Sequence, residues 1–284
     1  MLRMIKQLRA AGSLLNPDEV RRRAERPLTV GLVATDGSGY AELEEFLLPA
    51  SLPREVRLPM MERVFRAGDR NVPERVDLVL YQQGIPHNDG AYTFHRQDPE
   101  SVIAQIVHDH EDYALPLARQ FPVFRKPIAD GMIQSVAREN AFFAIATALP
   151  NIVPNLIELP WAFGEFASDT AFLTANQVRM AFLIATAYGK DPSFTHQKME
   201  ILSIAASAFG WRALARELVG HIPLGGGLIP KGAIAYAGTF AVGKSLEYFH
   251  RTNQVYSSDQ RNEEYRRALE SGKEVAESLT TKRA

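Results

Sequence analysis

Two apolar runs in the first half of the chain have the pattern of buried strands. Residues 28–34 (LTVGLVA) and 76–81 (VDLVLY) are apolar at nearly every position, which is typical of strands in a parallel sheet. Helical spacing of apolar residues predicts helices over residues 40–48 and 99–110. Strands that alternate with helices predict an α/β fold with a parallel sheet over residues 27–125. Two weaker strands are predicted as well, at residues 55–58 and 113–117.

From residue 126 onward the apolar positions follow the helical period alone. Because no strand pattern interrupts them, residues 126–256 are predicted to form an all-α helical domain. Ala233, Ala237 and Ala241 recur every fourth residue, a stripe of small residues that lets helix backbones approach closely. The predicted helices cover residues 128–149, 168–188 (capped by Gly189), 196–209, 213–219 and 231–249.

The two ends of the chain are richer in charge than the middle. Residues 1–26 carry seven basic and three acidic residues, a net charge of +4, and Asn16 followed by Pro17 predicts a helix start. This basic amphipathic arm is expected either to meet a membrane surface or a partner through residues 1–15 or to pack on the body of the protein. Residues 257–284 predict a charged helical tail with a solvated face and a cap at Ser258.

Composition narrows the classes of function. The 284 residues include 32 Lys and Arg against 33 Asp and Glu, so the near-zero net charge argues against a polybasic nucleic-acid binder. The absence of cysteine excludes thiol catalysis and cysteine-ligated metal or iron–sulfur sites. No secretory signal or spanning segment is recognisable, so we expect a cytoplasmic protein that associates with the inner membrane at most peripherally.

One nucleotide-binding motif is intact but stands in the wrong context. Gly238, Gly243, Lys244 and Ser245 match GxxxxGK[ST], the P-loop pattern that needs a strand before it and a helix after it. Here one helical face continues straight through the motif, and Phe240 in the supposed loop favours a core. We therefore predict a helix whose Lys244 side chain extends outward to water.

A second motif stands in the right context but is incomplete. The strand at 28–34 leads through a glycine-containing turn into a helix, where Gly39 keeps the second P-loop glycine. Ala34 replaces the first glycine, Tyr40 the lysine and Ala41 the serine or threonine. The side chains that would hold a triphosphate with its magnesium ion are thus missing.

The same turn could keep a residual anion site. The amides of Gly37, Ser38 and Gly39 at a helix N-terminus favour an anion, although Asp36 beside them would repel it. Two other interpretations stay open: a tight strand-to-helix turn without any ligand, and a weak dinucleotide-type site in which Glu42 replaces the third glycine.

Residues 137–251 resemble the helical domain of unknown function found in bacteria beside or fused to Era-like GTPases, as in YcjF-type proteins, and more distantly the EcsC family. The resemblance lies in ARENAFFAIATALPNIVPN (137–155), NQVRMAFLIATAYGKD (176–191) and IPLGGGLIPKGAIAYAGTFAVGKSLEYF (222–249). It implies a role around GTPases, membrane association and no transferable catalytic residue. It also makes residues 27–125 look like a degenerate Era-like GTPase domain, in which the changes at the turn argue against nucleotide hydrolysis.

The densest polar cluster lies at residues 108–112. His108 and Asp112 stand four residues apart and could ligate a metal, provided that His87 or Asp89 supplied a third ligand. A solvated helix end is the alternative interpretation, because His108 and His110 would point apart on a helix.

These observations favour a non-catalytic adaptor or regulator that binds a GTPase or another protein, the membrane surface or a second copy of itself, and that needs no cofactor. The alternatives are a divergent NTPase that binds nucleotide weakly at Gly37–Gly39 and a metal-dependent hydrolase built on His108 and Asp112.

Overall fold

The computed structural model divides the chain into two compact units. The α/β unit comprises residues 21–128 and 186–190, and the helical unit comprises residues 1–20, 129–185 and 191–284. The structure describes residues 16–148, 169–193, 195, 197, 200 and 227–281. A mixed α/β part and an all-helical part are therefore confirmed, with the division inside a helix that begins at Arg125.

The α/β unit is built on a four-stranded parallel sheet. Its strands are β1 (Val30–Val33), β2 (Val64–Arg66), β3 (Leu78–Gln82) and β4 (Tyr92–Phe94). They lie in the order β2-β1-β3-β4, and every neighbouring pair is parallel. Leu32 of β1 pairs with Arg66 on one side and Leu80 on the other. The two strong strand predictions are thus confirmed as β1 and β3.

Two weaker strand predictions are wrong, because both segments are helical. Residues 55–58 lie in α3 (Arg54–Met61), which follows Pro53 and carries an acidic residue in its first turn. Residues 113–117 span the end of a 3₁₀ turn (Glu111–Tyr113) and the start of the next helix. The strands that the pattern missed, β2 and β4, have three residues each, which is too short for a periodic signal.

Helices pack onto the sheet through apolar stripes. Leu43 and Leu47 of α2 (Gly37–Leu47) are fully buried, and Phe46 on the same helix lies 4.5 Å from Phe94 of β4, measured between ring centroids. The side chain of Asp98 accepts a hydrogen bond from the Ser101 amide at 3.2 Å and caps α4 (Pro99–Asp109). The remaining helical bounds are α1 (Pro17–Ala24), α5 (Ala114–Gln120) and a 3₁₀ turn (Pro122–Phe124).

Four long helices make up most of the described part of the helical unit: α6 (Arg125–Ala146), α7 (Asp169–Ala187), α8 (Leu228–Thr252) and α9 (Ser258–Thr281). The predicted helices at 128–149, 168–188 and 231–249 correspond to α6, α7 and α8. The predictions at 196–209 and 213–219 fall almost wholly outside the described residues, as do residues 1–15 of the arm. None of the described helices combines the length and apolarity that crossing a membrane requires.

Small residues let these helices approach one another. Ala233, Ala237 and Ala241 of α8 are at most 1% exposed and belong to a cluster with residues of α6 and α9, as the stripe predicts. A Cβ on Gly272 of α9 would lie 2.8 Å from the backbone oxygen of Ala233, so only glycine allows this contact. The predicted charged tail is thus a helix with a solvated face, and its other face contributes Tyr265, Ala268 and Leu269 to the core.

The helix ends follow local side-chain chemistry. Asn16 accepts from the Asp18 amide at 3.0 Å, which confirms the predicted start of α1. Gly189 ends α7 with a φ of 82°, as predicted. The cap of α9 is one residue earlier than predicted: Ser257, not Ser258, accepts from the Gln260 amide at 3.1 Å and receives the Gln260 side chain on its own amide at 2.9 Å. This reciprocal pair is a capping box.

Candidate functional site

The site to which the fold points lies at the carboxyl ends of β1 and β3. The strand that follows β1 in the chain, β2, lies on one side of it, whereas β3 lies on the other side and is followed outward by β4. The order of strands therefore reverses between β1 and β3. In open parallel sheets, ligands bind in the crevice outside the strand ends at such a reversal, as in sheets of the order 2-1-3-4-5.

The turn from β1 to α2 contains only Ala34, Thr35 and Asp36, because Gly37 is already helical. Asp36 has extended backbone angles and caps the helix: its Oδ1 accepts a hydrogen bond from the Gly39 amide at 2.9 Å. The three predicted anion-site residues thus form the first helical turn. The amide of Gly39 is held by a carboxylate of the chain itself.

Gln82 closes the same turn from the end of β3. Its Oε1 accepts from both the amide and the hydroxyl of Thr35, each at 3.1 Å. Gly39 is buried beneath it, and a Cβ at this position would overlap the Gln82 carboxamide and lie 2.9 Å from the Ala34 Cβ. Close approach of Gln82 is therefore the physical reason for glycine here, and nothing in the local motif indicated that residue.

Tyr40, which stands at the P-loop lysine position, connects α2 to the end of β2. Its hydroxyl donates to the Ala67 carbonyl at 3.3 Å, and the Arg66 guanidinium lies 5.4 Å from its ring centroid. Arg66 is held in turn by two hydrogen bonds to the Glu44 carboxylate, at 2.6 and 2.9 Å, which raise the pKa of Arg66. The residue at the P-loop lysine position, Tyr40, therefore joins α2 to the end of β2.

The intact GxxxxGKS sequence lies wholly inside α8, as predicted, and offers no loop. A Cβ on Gly243 would lie 2.7 Å from Ile133 of α6, and the Ser245 hydroxyl donates to the Ala241 carbonyl at 2.8 Å within the helix. The outward path predicted for Lys244 is wrong. Its side chain is 17% exposed, and its Nζ lies 2.8 Å from Asp130 Oδ1 of α6, because a partly buried ammonium is stabilised by a partner charge.

The polar cluster at residues 108–112 lines an open depression of about 330 Å³ together with Tyr113. His87 is engaged elsewhere, since its two ring nitrogens contact the Asn88 carbonyl at 2.9 Å and the Thr93 hydroxyl at 2.7 Å. Across the described part of the chain, no three side chains of the metal-binding types come together. His108 and Asp112 therefore gain no third ligand from these residues.

Beside this cluster, Tyr92 donates a hydrogen bond to Asp109 at 3.1 Å. Burial and this contact raise the pKa of Tyr92 to about 12, so its hydroxyl remains a donor over the physiological range. The contact ties β4 to α4 and leaves the Asp109 carboxylate with a structural partner.

A buried polar network in the helical unit was missed by the sequence patterns. Asn140 of α6 is fully buried, donates to the Thr239 hydroxyl of α8 at 2.8 Å and accepts from Asn176 of α7 at 2.9 Å. Glu139 extends the network to Arg179 at 2.6 Å. The network links three helices whose other contacts are mainly apolar, and satisfied polar groups of this kind rigidify a core.

Comparison of the chain with protein-family models, with curated proteins and with solved structures found no match.

Proposed function

We propose that this protein is a non-catalytic adaptor or regulator in which a GTPase-associated helical domain is joined to an α/β domain with a degenerate, P-loop-like turn. The observation that carries the proposal is the occupation of that turn by side chains of the chain itself. Asp36 holds the amide of Gly39, and Gln82 holds the amide of Thr35. A phosphate group would have to displace both before it could use these donors.

The charges at the turn also disfavour the binding of a nucleotide. The Asp36 carboxylate places a negative charge where a P-loop would receive a phosphate, and Tyr40 and Ala41 supply neither an ammonium nor the magnesium-binding hydroxyl. Two charge-assisted contacts are absent, each worth roughly 1.5–3 kcal/mol, which corresponds to about two to four decades in affinity. Binding of GTP or ATP at cellular concentrations is therefore not expected.

The helical unit supports a binding role because it presents a preformed body. Its described helices pack through glycine and alanine and are joined by the Asn140 network and the Lys244–Asp130 ion pair. A rigid surface loses little conformational entropy when a partner docks. In this proposal the partner is a GTPase, and the protein is cytoplasmic, attached peripherally to the inner membrane through residues 1–15 and the helical domain, and able to self-associate.

Calorimetric titration of the full chain with GTP, GDP and ATP in the presence of Mg²⁺ tests the closed turn. We expect no binding at micromolar concentrations. Micromolar binding that Ser38→Glu abolishes would favour the divergent NTPase instead. Ser38 is exposed in the first turn of α2, so the added acid leaves the packing intact, whereas a substitution at Gly39 would disturb it.

Two further experiments test the positive part of the proposal. Bacterial Era-type GTPases, loaded with GDP or with a non-hydrolysable GTP analogue, are titrated against the full chain, and a nucleotide-dependent affinity is expected. Flotation with anionic phospholipid vesicles, compared with a variant lacking residues 1–15, tests the membrane contact. Equal affinity of the GTPase in both states would argue against a GTPase-linked role, and absence of the intact chain from the vesicle fraction would remove the membrane contact.

A further inference from the structure

Three Asp–Gly steps occur in this chain, at Asp36–Gly37, Asp89–Gly90 and Asp130–Gly131. Such a step is chemically reactive, because the unhindered glycine amide can attack the aspartate side chain. The attack forms a bond between the glycine nitrogen and the aspartate Cγ and releases one water, which leaves a succinimide. Addition of water to either ring carbonyl then restores aspartate or gives isoaspartate, so that mass is conserved overall.

The structure holds two of the three aspartates in place. The carboxylate of Asp36 accepts the hydrogen bond from Gly39, and its neighbour Gly37 begins a helix. Asp130 lies inside α6 and pairs with Lys244. Either side chain would have to break a charge-assisted contact, and the backbone a helical conformation, before the ring could close.

Asp89 differs in both respects. Within the described part of the chain, no hydrogen bond or ion pair holds its carboxylate, and it lies outside any helix, in the connection between β3 and β4, where Gly90 has a φ of 90°. We propose that Asp89 is a site of spontaneous isomerisation to isoaspartate, whereas Asp36 and Asp130 are protected by their contacts.

The modification would alter the connection that follows the carboxyl end of β3. The isoaspartyl form adds a methylene to the main chain between Asn88 and Gly90, next to His87, whose ring contacts Asn88 and Thr93. Gln82, which closes the β1–α2 turn, ends the strand that leads into this connection. Ageing of the protein would therefore change this loop selectively.

The experiment incubates the full chain at 37 °C in mildly acidic buffer, in which the protonated carboxyl group can lose its hydroxyl as water. Tryptic peptides 24–54, 76–96 and 126–138 separate the three aspartates, and electron-transfer fragmentation distinguishes isoaspartate from aspartate. We expect at least about tenfold more isoaspartate at Asp89 than at Asp36 or Asp130, the factor that one charge-assisted hydrogen bond supplies. Asp89→Glu removes the reactive step and should abolish the signal in peptide 76–96.

A parallel incubation in concentrated urea separates structure from sequence. There the native contacts are lost, and all three steps should react to similar extents, because each has the same Asp–Gly chemistry. The proposal is overturned by equal amounts at the three sites in the folded protein, by absence of isoaspartate at Asp89, or by a preference for Asp89 that persists in urea.

Discussion

The carboxamide oxygen of Gln82 accepts two hydrogen bonds from Thr35, one from its backbone amide and one from its hydroxyl, and so joins the end of β3 to the turn after β1. The two residues are 47 positions apart in the chain. The contact depends on the missing side chain of Gly39, over which the carboxamide lies. It lies at the position where a parallel sheet of this order usually receives a ligand.

Gly39→Ala is expected to destabilise the protein by about 1–3 kcal/mol, the range for overpacking a well-filled site. The new methyl group would overlap Gln82 and press on Ala34. Urea unfolding measures the change in the free energy of unfolding. In the double variant with Gln82→Ala, part of the loss should be recovered, whereas additive losses would show that the two positions do not meet.

Lys244→Met is expected to reduce stability by about 1.5–3 kcal/mol, because the partly buried Asp130 loses a charge-assisted contact. Lys273→Met is the matched control. It breaks an exposed pair with Glu270 of the same 2.8 Å length, worth at most about 1 kcal/mol. Thermal unfolding compares the two variants, and a similar loss in both would contradict a special role for Lys244. The titration with nucleotides should be unchanged by either substitution.

Asn140→Ala is expected to destabilise the helical unit by about 1–3 kcal/mol, because Thr239 and Asn176 lose a partner in the core. A double-mutant cycle with Thr239→Val isolates the contact between the two residues. A coupling energy of about 0.5 kcal/mol or more is expected for residues in one network. Strict additivity would mean that the network is an incidental contact.

Ser257→Ala should lower the free energy of unfolding by about 0.5–2 kcal/mol through loss of the cap of α9. Ser258→Ala, one residue later, leaves both hydrogen bonds of the capping box in place and should change stability by less than about 0.5 kcal/mol. Urea unfolding of both variants decides between the two positions. An equal effect, or a larger one at Ser258, would place the cap at the second serine.

Alkaline pH should destabilise the helical unit through Tyr265. Burial raises the pKa of this tyrosine to about 12, whereas it is about 10 in an unfolded chain. The folded protein keeps the proton when the unfolded chain has lost it, so stability present below about pH 10 is expected to decline as the pH rises toward 12. Tyr265→Phe should flatten the decline in unfolding free energy between neutral pH and about pH 11. If the unfolding free energy of the variant falls as steeply with pH as that of the parent, groups other than Tyr265 cause the loss.

Patterns that depend on burial or on adjacent residues were readable in the chain itself. The runs at β1 and β3 are apolar because one face of each strand is buried and the other is half-buried, and in the second half of the chain the helical period of the apolar residues marks the long helices. Caps such as Asn16 are set by residues two or three positions away. For the same reason, the helical period of the residues around Lys244 correctly predicted a helix there, although the sequence matches a P-loop motif.

The tertiary structure decided the contacts between distant positions. Gln82 reaches Thr35 and Lys244 reaches Asp130 across 47 and 114 residues, and three-residue strands such as β2 exist only because a neighbouring strand supplies their hydrogen bonds. Sequence by itself determined where the long helices and the two central strands, β1 and β3, form, since the spacing of apolar side chains suffices for elements of that length or burial. Whether the β1–α2 turn is open or closed depended on which side chain the sheet brings against it, a matter of strand order that no local pattern encodes.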